Sequence, residues 1–207
     1  MNKVVLLGGG GHCKVVIDHL QLNGTKIIGI LDDNPKAAGR KILGCRVIGP
    51  IEQLADLKNE AEFAVIAVTD PAIRMKFAEI CCDIGFEVTG YIHPAAVISA
   101  SATIAPTAQI GAGAIINPDV IIKEHAVINT QTVVEHDCWV GPYCHIAPSV
   151  SLMGNVHVGS LTLIGASSVV IPNLRIGSKV IVGAGAIIVK NIEDNSKYVS
   201  TPAKKMD

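Results

Sequence analysis

Aliphatic residues recur at every sixth position through the second half of the chain, without a break in register. The positions two residues before them are nearly all small, mostly Ala, Thr, Cys and Ser. A period of six with one bulky and one small inward position predicts a β-helix of hexapeptide repeats, because neither an α-helix nor a simple strand has this period. The sixteen bulky positions are Ile98, Ile104, Ile110, Ile116, Ile122, Ile128, Val134, Val140, Ile146, Leu152, Val158, Ile164, Val170, Ile176, Val182 and Ile188.

Each hexapeptide is expected to form one short strand and one corner of a prism. Three repeats then make one coil of eighteen residues, so sixteen repeats make about five coils. Coils stacked roughly 4.8 Å apart give a prism on the order of 25 Å tall. As in other solenoids, each coil buries its core only against its neighbours.

Residues 1–92 follow a different pattern, in which short apolar runs alternate with helical stretches. This alternation predicts a small, parallel, Rossmann-like α/β domain, followed by a β-helix domain with a C-terminal tail over residues 93–207. Asp70 and Pro71 are typical of the N-cap and first residue of a helix. The predicted strands are Lys3–Leu7, Lys26–Leu31, Phe63–Val68 and Glu87–Tyr91, and the predicted helices are His12–Leu22, Ile51–Leu57 and a stretch from Pro71 to about Gly85.

Four consecutive glycines, Gly8–Gly11, lie between the first strand and the first helix. Backbone N–H groups at the start of a helix attract anions, most often phosphate. A full NAD site is one alternative, but Cys13 stands where the fingerprint has its third glycine. A purely structural turn is the other alternative. The residues predicted to contact a nucleotide diphosphate are Gly10, Gly11, His12, Lys14 and Asp32.

The triplet Glu135-His136-Asp137 follows directly after the inward residue Val134. A carboxylate bonded to one imidazole nitrogen fixes the tautomer and raises the basicity of the other nitrogen. We therefore predict that His136 is a general base for an amine or a hydroxyl, with Glu135 or Asp137 as its partner. The alternative is an exposed histidine without a chemical role.

Two further histidines lie on the prism. His145 directly precedes an inward residue, so we expect it to point outward from a flat face. A zinc site shared by His136, His145 and His157 is the alternative use of these side chains. Spacings of nine and twelve residues separate them within one chain, so we predict no metal.

A late run of small residues offers a place for a long, thin ligand. Glycines at corners allow a ligand to approach the backbone closely, and pantetheine has a suitable shape for a groove along stacked coils. The alternative is that these glycines serve only the geometry of the corners. The residues predicted to bind such a coenzyme are Gly165, Ala166, Gly183, Ala184 and Lys190, the last through a phosphate.

Composition narrows the possible functions. The 207 residues are 49% hydrophobic and only 3% aromatic, which fits a prism filled with Ile, Val and Ala. A net charge of −1 gives no signal for nucleic acid or an anionic membrane. The six cysteines have no zinc spacing. With no leader-like or membrane-spanning run, we expect a reduced, cytoplasmic protein.

These motifs together resemble bacterial sugar acyltransferases of the PglD and NeuD type. The resemblance covers nearly the whole chain. Thr69 and Ser200 depart from it, because the family commonly has glycine at both places. The residues that carry the resemblance are the repeats, Gly8–Val16, Asp32-Asp33-Asn34, Asn129-Thr130, Glu135-His136-Asp137, His145-Ile146-Ala147-Pro148 and Pro202-Ala203-Lys204.

The resemblance implies a left-handed β-helix and a homotrimer with acetyl-CoA between adjacent prisms. It implies that His136 is the catalytic base, that Asp137 is its partner, and that His145 is a second active-site histidine near the coenzyme. Asp32 or Asp33 would contact the nucleotide-sugar, and Asn117 is placed with the substrate-binding residues. Apolar outward positions also favour a trimer; they are Val127, Leu161, Leu163, Val169 and Ile187.

Three functions are open from the sequence. The favoured one is acetyl-CoA-dependent N-acetylation of a UDP-linked 4-amino sugar, with His136 as the base. The second is O-acetylation of a sialic-acid-like sugar by the same base. The third is a non-catalytic, nucleotide-sugar-binding trimer, for which a histidine between two acids has no evident use.

Overall fold

The computed structural model describes residues 3–200. One compact unit extends to Tyr91 and the other begins at Ile92. The motif Pro202-Ala203-Lys204, which contributes to the family resemblance, lies outside the described residues.

The first unit is a five-stranded sheet with two α-helices. Strands β1, β2, β4 and β5 pair in parallel, and β3 pairs antiparallel with β4, giving the order β3-β4-β2-β1-β5. A short 3₁₀ helix, Ile51–Leu57, precedes β5. The elements are β1 Lys3–Leu7, α1 Gly11–Leu22, β2 Lys26–Leu31, β3 Lys41–Ile42, β4 Cys45–Gly49, β5 Phe63–Ile66 and α2 Pro71–Asp83.

Local signals place α2 as the sequence predicts. The Asp70 carboxylate accepts a hydrogen bond from the backbone N–H of Ile73 at 2.9 Å, so Asp70 is the N-cap. The fully buried Arg74 donates to the carbonyls of Ile66 and Val68 beyond the end of β5. These bonds satisfy carbonyl groups where the strand ends, close to the glycine run.

The predicted strand over Glu87–Tyr91 is wrong. Only an isolated bridge between Ala64 and Val88 forms there, and Tyr91 instead begins the short strand Tyr91–Ile92. The hairpin of β3 and β4 was not predicted. Its turn has positive φ at Leu43 and Gly44, and such two-residue turns join antiparallel strands.

The second unit is a left-handed parallel β-helix of two-residue strands in three sheets, here called faces A, B and C. Face A contains β7 Val97–Ile98, β10 Ile115–Ile116, β13 Val133–Val134, β16 Ser151–Leu152, β19 Val169–Val170 and β22 Ile187–Ile188. Face B contains β8 Thr103–Ile104, β11 Ile121–Ile122, β14 Trp139–Val140, β17 His157–Val158 and β20 Arg175–Ile176. Face C contains β6 Tyr91–Ile92, β9 Gln109–Ile110, β12 Val127–Ile128, β15 His145–Ile146, β18 Leu163–Ile164, β21 Ile181–Val182 and β23 Lys197–Tyr198.

The six-residue pattern is confirmed by the core of the prism. The bulky positions from Ile110 to Ile188 are all buried, and Ile98 and Ile104 pack against them. Small inward residues that carry a hydroxyl donate to a carbonyl fifteen residues later, which satisfies a polar group that would otherwise be buried unpaired. These bonds run from Thr132 to Ala147 at 3.0 Å, from Thr162 to Gly177 at 2.8 Å, and from Ser168 to Gly183 at 3.1 Å.

Most corners turn through one residue in the left-handed conformation, three residues after the bulky one. From residue 119 to 179 its φ lies between +55° and +63° at every sixth position. Asn and Asp tolerate this conformation better than other non-glycine residues. The corner between faces A and B uses only these two types, and its residues are Asp119, Asp137, Asn155 and Asn173. This corner therefore suits the sequence motif that contains His136.

Candidate active site

His136 lies at the corner between β13 and β14, and its side chain is 60% exposed. Its ring nitrogen Nδ1 is 2.7 Å from Oδ2 of Asp137, the left-handed residue of the same corner. An ionised carboxylate can only accept, so Nδ1 carries the proton and Nε2 has the free lone pair. The corner conformation thus turns a neighbour in sequence into the partner of the histidine.

The acids of the triplet raise the pKa of His136 above its ordinary value. The largest cause is the hydrogen bond to Asp137, and the charges of Asp137 and Glu135 act in the same direction. Partial desolvation opposes them. His136 is therefore a stronger base than an isolated histidine, and a larger fraction of it is protonated near neutral pH.

Gly154 lies one coil beyond His136, eighteen residues later. A Cβ atom built on Gly154 would lie 2.7 Å from both Nε2 and Cε1 of the His136 ring. The imidazole thus takes the space in which a side chain at position 154 would lie. The sequence analysis missed this residue, although the eighteen-residue coil length was enough to find it.

Glu135 and Asn117 lie on neighbouring coils. Pairing of β10 with β13 in register, Ile116 opposite Val134, carries over to the following residues and places Asn117 next to Glu135. Both side chains are half-buried. Glu135 acts on His136 through its charge, and the hydrogen bond belongs to Asp137.

His145 precedes the inward residue Ile146, as predicted for an outward position, but its residue is only 8% exposed. Its Nε2 is 3.1 Å from Nδ2 of Asn129, an amide that can only donate. Asn129 is itself oriented by the backbone N–H of Thr130, which donates to Oδ1 at 2.8 Å. The lone pair of His145 Nε2 is therefore occupied, and this nitrogen is poorly placed to act as a base.

The packing of the coils explains the glycine at position 165. A Cβ there would lie 2.5 Å from the backbone nitrogen of Ala184 and 2.6 Å from the carbonyl carbon of Gly183. Ala166 accepts a backbone hydrogen bond from Gly185 at 2.8 Å. These late residues thus stack as successive corners, which is the geometric alternative that the sequence left open. That these residues contact a coenzyme remains a prediction.

The exposed Lys190 borders a groove of about 410 Å³ at the late end of the prism. Its walls are mostly aliphatic, including Ile187 at 72% exposure and Val199 at 88%. A cationic side chain beside an apolar groove suits a ligand with an apolar arm and a phosphate. The lining residues are Ala186, Ile187, Ile188, Val189, Lys190, Ile192, Tyr198, Val199 and Ser200.

A second cavity of about 350 Å³ lies in the α/β unit, at the carboxyl ends of β1 and β2. Ligands of open α/β sheets bind at such ends. Four of the predicted residues meet here, and Arg40 adds a cation that the sequence analysis missed. The lining residues are Gly9, Gly10, Gly11, Lys14, Asp32, Asn34, Ala37, Arg40 and Ile42.

The glycines of this loop differ in what the fold requires of them. Gly8 has φ +102°, and a side chain there would overlap Val68. Gly10 and Gly11 have no atom within 4 Å of an added Cβ, and neither has positive φ. Gly8 is therefore structural, whereas open space at Gly10 and Gly11 leaves their N–H groups accessible to a ligand.

Three residues predicted to contact the substrate have other positions or hydrogen bonds in the structure. The Asp32 carboxylate lines the cavity but accepts hydrogen bonds from the backbone of Gly9 and Asn34, so it holds the loop. Asp33 accepts from the N–H of Ile51 at 2.9 Å, at the start of the 3₁₀ helix, and does not line this cavity. His12 lies in the first turn of α1, outside the lining.

Within residues 3–200, no three His, Cys, Asp or Glu side chains come together in a way that would hold a metal ion. None of the helices in that range combines the length and the apolar character that a membrane span requires.

Comparison with known proteins finds a matching family model and solved structures that align with this chain over its whole length. The family model of the PglD N-terminal domain matches residues 3–81. A perosamine N-acetyltransferase from Caulobacter crescentus, solved in complex with CoA and GDP-perosamine, is 37% identical, with a TM-score of 0.92 over 100% of this chain and 98% of that one. The acetyltransferase domain of PglB from Neisseria gonorrhoeae, in complex with acetyl coenzyme A, is 33% identical, with a TM-score of 0.89 over 100% of both chains.

A more distant match shares only part of its length with this chain. An uncharacterised protein of Acanthamoeba polyphaga mimivirus is 34% identical over 99 residues. That match spans 46% of this chain and 19% of the viral protein. WeeI from Acinetobacter baumannii, at 21% identity and a TM-score of 0.85, shares the fold.

Replacing Asp137 by Asn should lower the pKa of His136 toward its ordinary value of about 6.5, because the bond to a charged acceptor is lost. Asn keeps the left-handed corner, so the backbone should not change. NMR titration of the His136 Cε1 proton measures the effect. In the matched variant Glu135→Gln the pKa should fall less, since only a charge interaction is removed. An unchanged pKa in Asp137→Asn would contradict this assignment.

Proposed function

Since this chain belongs to the PglD/NeuD-type family of bacterial sugar acyltransferases, we propose that it transfers an acetyl group from acetyl-CoA to the amino group of a nucleotide-linked 4-amino sugar. The observation that carries the proposal is the pair formed by His136 and Asp137, in which Nδ1 and Oδ2 are 2.7 Å apart, so that Nε2 of the neutral ring can accept a proton. The Caulobacter relative, named as an N-acetyltransferase of perosamine, supports the amine as nucleophile.

The reaction needs a general base and a thioester that is bound in position for attack. The sugar amine attacks the thioester carbonyl carbon, and His136 Nε2 takes the proton that the nitrogen loses as the C–N bond forms. The C–S bond then breaks, and the leaving thiolate takes a proton to give free CoA. Asp137 holds the ring and stabilises the imidazolium. Backbone N–H groups at the corners are the proposed donors to the oxyanion.

The two substrates use different cavities in this proposal. The nucleotide diphosphate binds the α/β cavity through the N–H groups of Gly10 and Gly11 and through Lys14 and Arg40. The neighbouring cations would balance the phosphate charge. Acetyl-CoA binds along the late coils with Lys190 near a phosphate. The nucleobase is uracil or guanine. Assays with a UDP-linked and a GDP-linked 4-amino sugar distinguish the two.

His136→Ala should lower kcat by about 10²–10⁴-fold, the usual contribution of a general base, with little change in KM for acetyl-CoA. Release of CoA thiol measures the rate. The matched control is His157→Ala, which removes a histidine of face B outside both cavities and should keep more than half of the wild-type rate. Retention of more than half the activity by His136→Ala would assign the base to another group.

Gly10→Leu should raise KM for the nucleotide-sugar by about 10–100-fold, as expected for lost bonds to a charged group, and leave KM for acetyl-CoA nearly unchanged. The added side chain has open space, but Leu is less favourable than Gly at the N-cap of α1, so the melting temperature should fall by no more than about 2–4 °C, the effect of about 1 kcal/mol. Asp32→Ala is a poorer probe, because it also releases the loop. An acceptor without a nucleotide, used equally well by wild type and Gly10→Leu, would instead favour O-acetylation of a free sialic-acid-like sugar.

A homotrimer is part of the proposal, since face A exposes aliphatic side chains, among them Val97 at 64% and Ile187 at 72%. Two of the apolar residues from which the sequence predicts a trimer do not lie on an open face. Val127 is 1% exposed, and Leu161 is a corner residue with φ 59°. Light scattering should give three times the chain mass of 21.6 kDa, and a monomer mass would refute the assembly.

We also propose a cytoplasmic location. All six cysteines are free thiols, and the buried ones pack as small hydrophobic residues. A reducing compartment keeps thiols in this state.

A further inference from the structure

We propose that Gly154 is a positioning residue for His136, because the absence of its side chain provides the space in which the imidazole lies. This inference rests on the proposed function, in which His136 Nε2 is the base. Gly154 acts through the ring of His136 and by itself takes no proton.

The atoms nearest to the missing side chain of Gly154 all belong to the His136 ring. The three atoms nearest to an added Cβ are Cε1 and Nε2 of His136, both at 2.7 Å, and Cδ2 at 3.4 Å. Carbon atoms in contact normally lie about 3.5–4.0 Å apart. A methyl group at position 154 would thus overlap the edge of the ring that carries Nε2.

The β-helix itself does not require glycine at this position. Gly154 occupies the second position after the bulky Leu152 and has no positive φ. Equivalent positions on the coils before and after carry Pro118, His136 and Pro172, so side chains fit there. By contrast, glycines directly after a bulky residue would meet the backbone of the next coil; they are Gly111, Gly141, Gly159, Gly165 and Gly177.

If a methyl group is added, the ring must give way, since the backbone is held from both sides. The carbonyl of Gly154 accepts from Asn173 at 3.0 Å, and the N–H of Asn155 donates to the carbonyl of His136 at 2.9 Å. The ring, in contrast, is 60% exposed and is held by a hydrogen bond to Asp137. The displacement should therefore cost little stability but should move Nε2 and lengthen the bond to Asp137.

Gly154→Ala tests the inference by kinetics. A displacement of about 1 Å in a catalytic group costs about 10²-fold in rate, so kcat should fall by about that factor while KM for acetyl-CoA is nearly unchanged. The base must be neutral to act, and the bond to Asp137 raises its pKa. Weakening that bond should shift the acid limb of the kcat–pH profile to lower pH.

A double-mutant cycle separates positioning from general damage. In a His136→Ala background, Gly154→Ala should lower kcat by less than about twofold, because no ring remains to be displaced. The matched glycine control is Gly159→Ala, whose Cβ would lie 2.6 Å from the backbone of Gly177 and Ser178. That variant should lose thermal stability, whereas Gly154→Ala should keep the wild-type melting temperature.

Two outcomes would overturn the inference. One is a Gly154→Ala enzyme with wild-type kcat and pH profile. The other is an equal loss from Gly154→Ala with and without His136. If His136→Ala is itself fully active, the proposed function fails first, and that result is distinguishable from failure of Gly154 alone.

Discussion

Backbone hydrogen bonds between successive coils set the position of every residue in the prism. Throughout faces A and B, each strand pairs with the one eighteen residues away in the same register. A shift by one residue would turn the inward aliphatic side chains to solvent. The core therefore fixes the register, and the register fixes which residues meet at the corners.

The candidate base depends on this constraint in three ways. The left-handed conformation at Asp137 brings its carboxylate to Nδ1 of the preceding residue. Stacking places Gly154 against the other edge of the ring. The same stacking puts Asn117 beside Glu135. Residues that are far apart in sequence but an exact multiple of a coil apart thus form one site without any long loop.

The α/β unit builds its cavity by different means. The end of β1 opens into the glycine run, and the Asp32 carboxylate ties that run to the end of β2 through backbone N–H groups. An added side chain at Gly10 or Gly11 would meet open space. The cations Lys14 and Arg40 border the same cavity as these glycines.

Sequence periodicity was enough to predict the prism, because the core repeats with a fixed period and hydrophobic burial dominates its energy. It was also enough to find His136 and Asp137, which are adjacent in the chain. For His145 it predicted an outward position but not that the residue is only 8% exposed. A period of six tells which way a side chain points, but does not tell what covers it.

Contacts that depend on how the chain folds in three dimensions were also not predicted from the sequence. The sequence predicts Asp33 as a substrate contact, yet it accepts from the N–H of Ile51, eighteen residues away at the start of a 3₁₀ helix. Arg40 joins the cavity through a hairpin whose strand Lys41–Ile42 is too short to leave a periodic signal. Gly165 was read as a ligand contact, although the next coil already accounts for its missing side chain.

The central claim is that the corner at His136 presents a base to a sugar amine. A crystal structure of the protein with CoA and a nucleotide-linked 4-amino sugar tests it most directly. The account predicts the amine nitrogen within about 2.6–3.2 Å of His136 Nε2, the reach of a general base, with Nδ1 still bonded to Asp137. An amine bound beyond that reach, with another side chain in contact with it, would contradict the account.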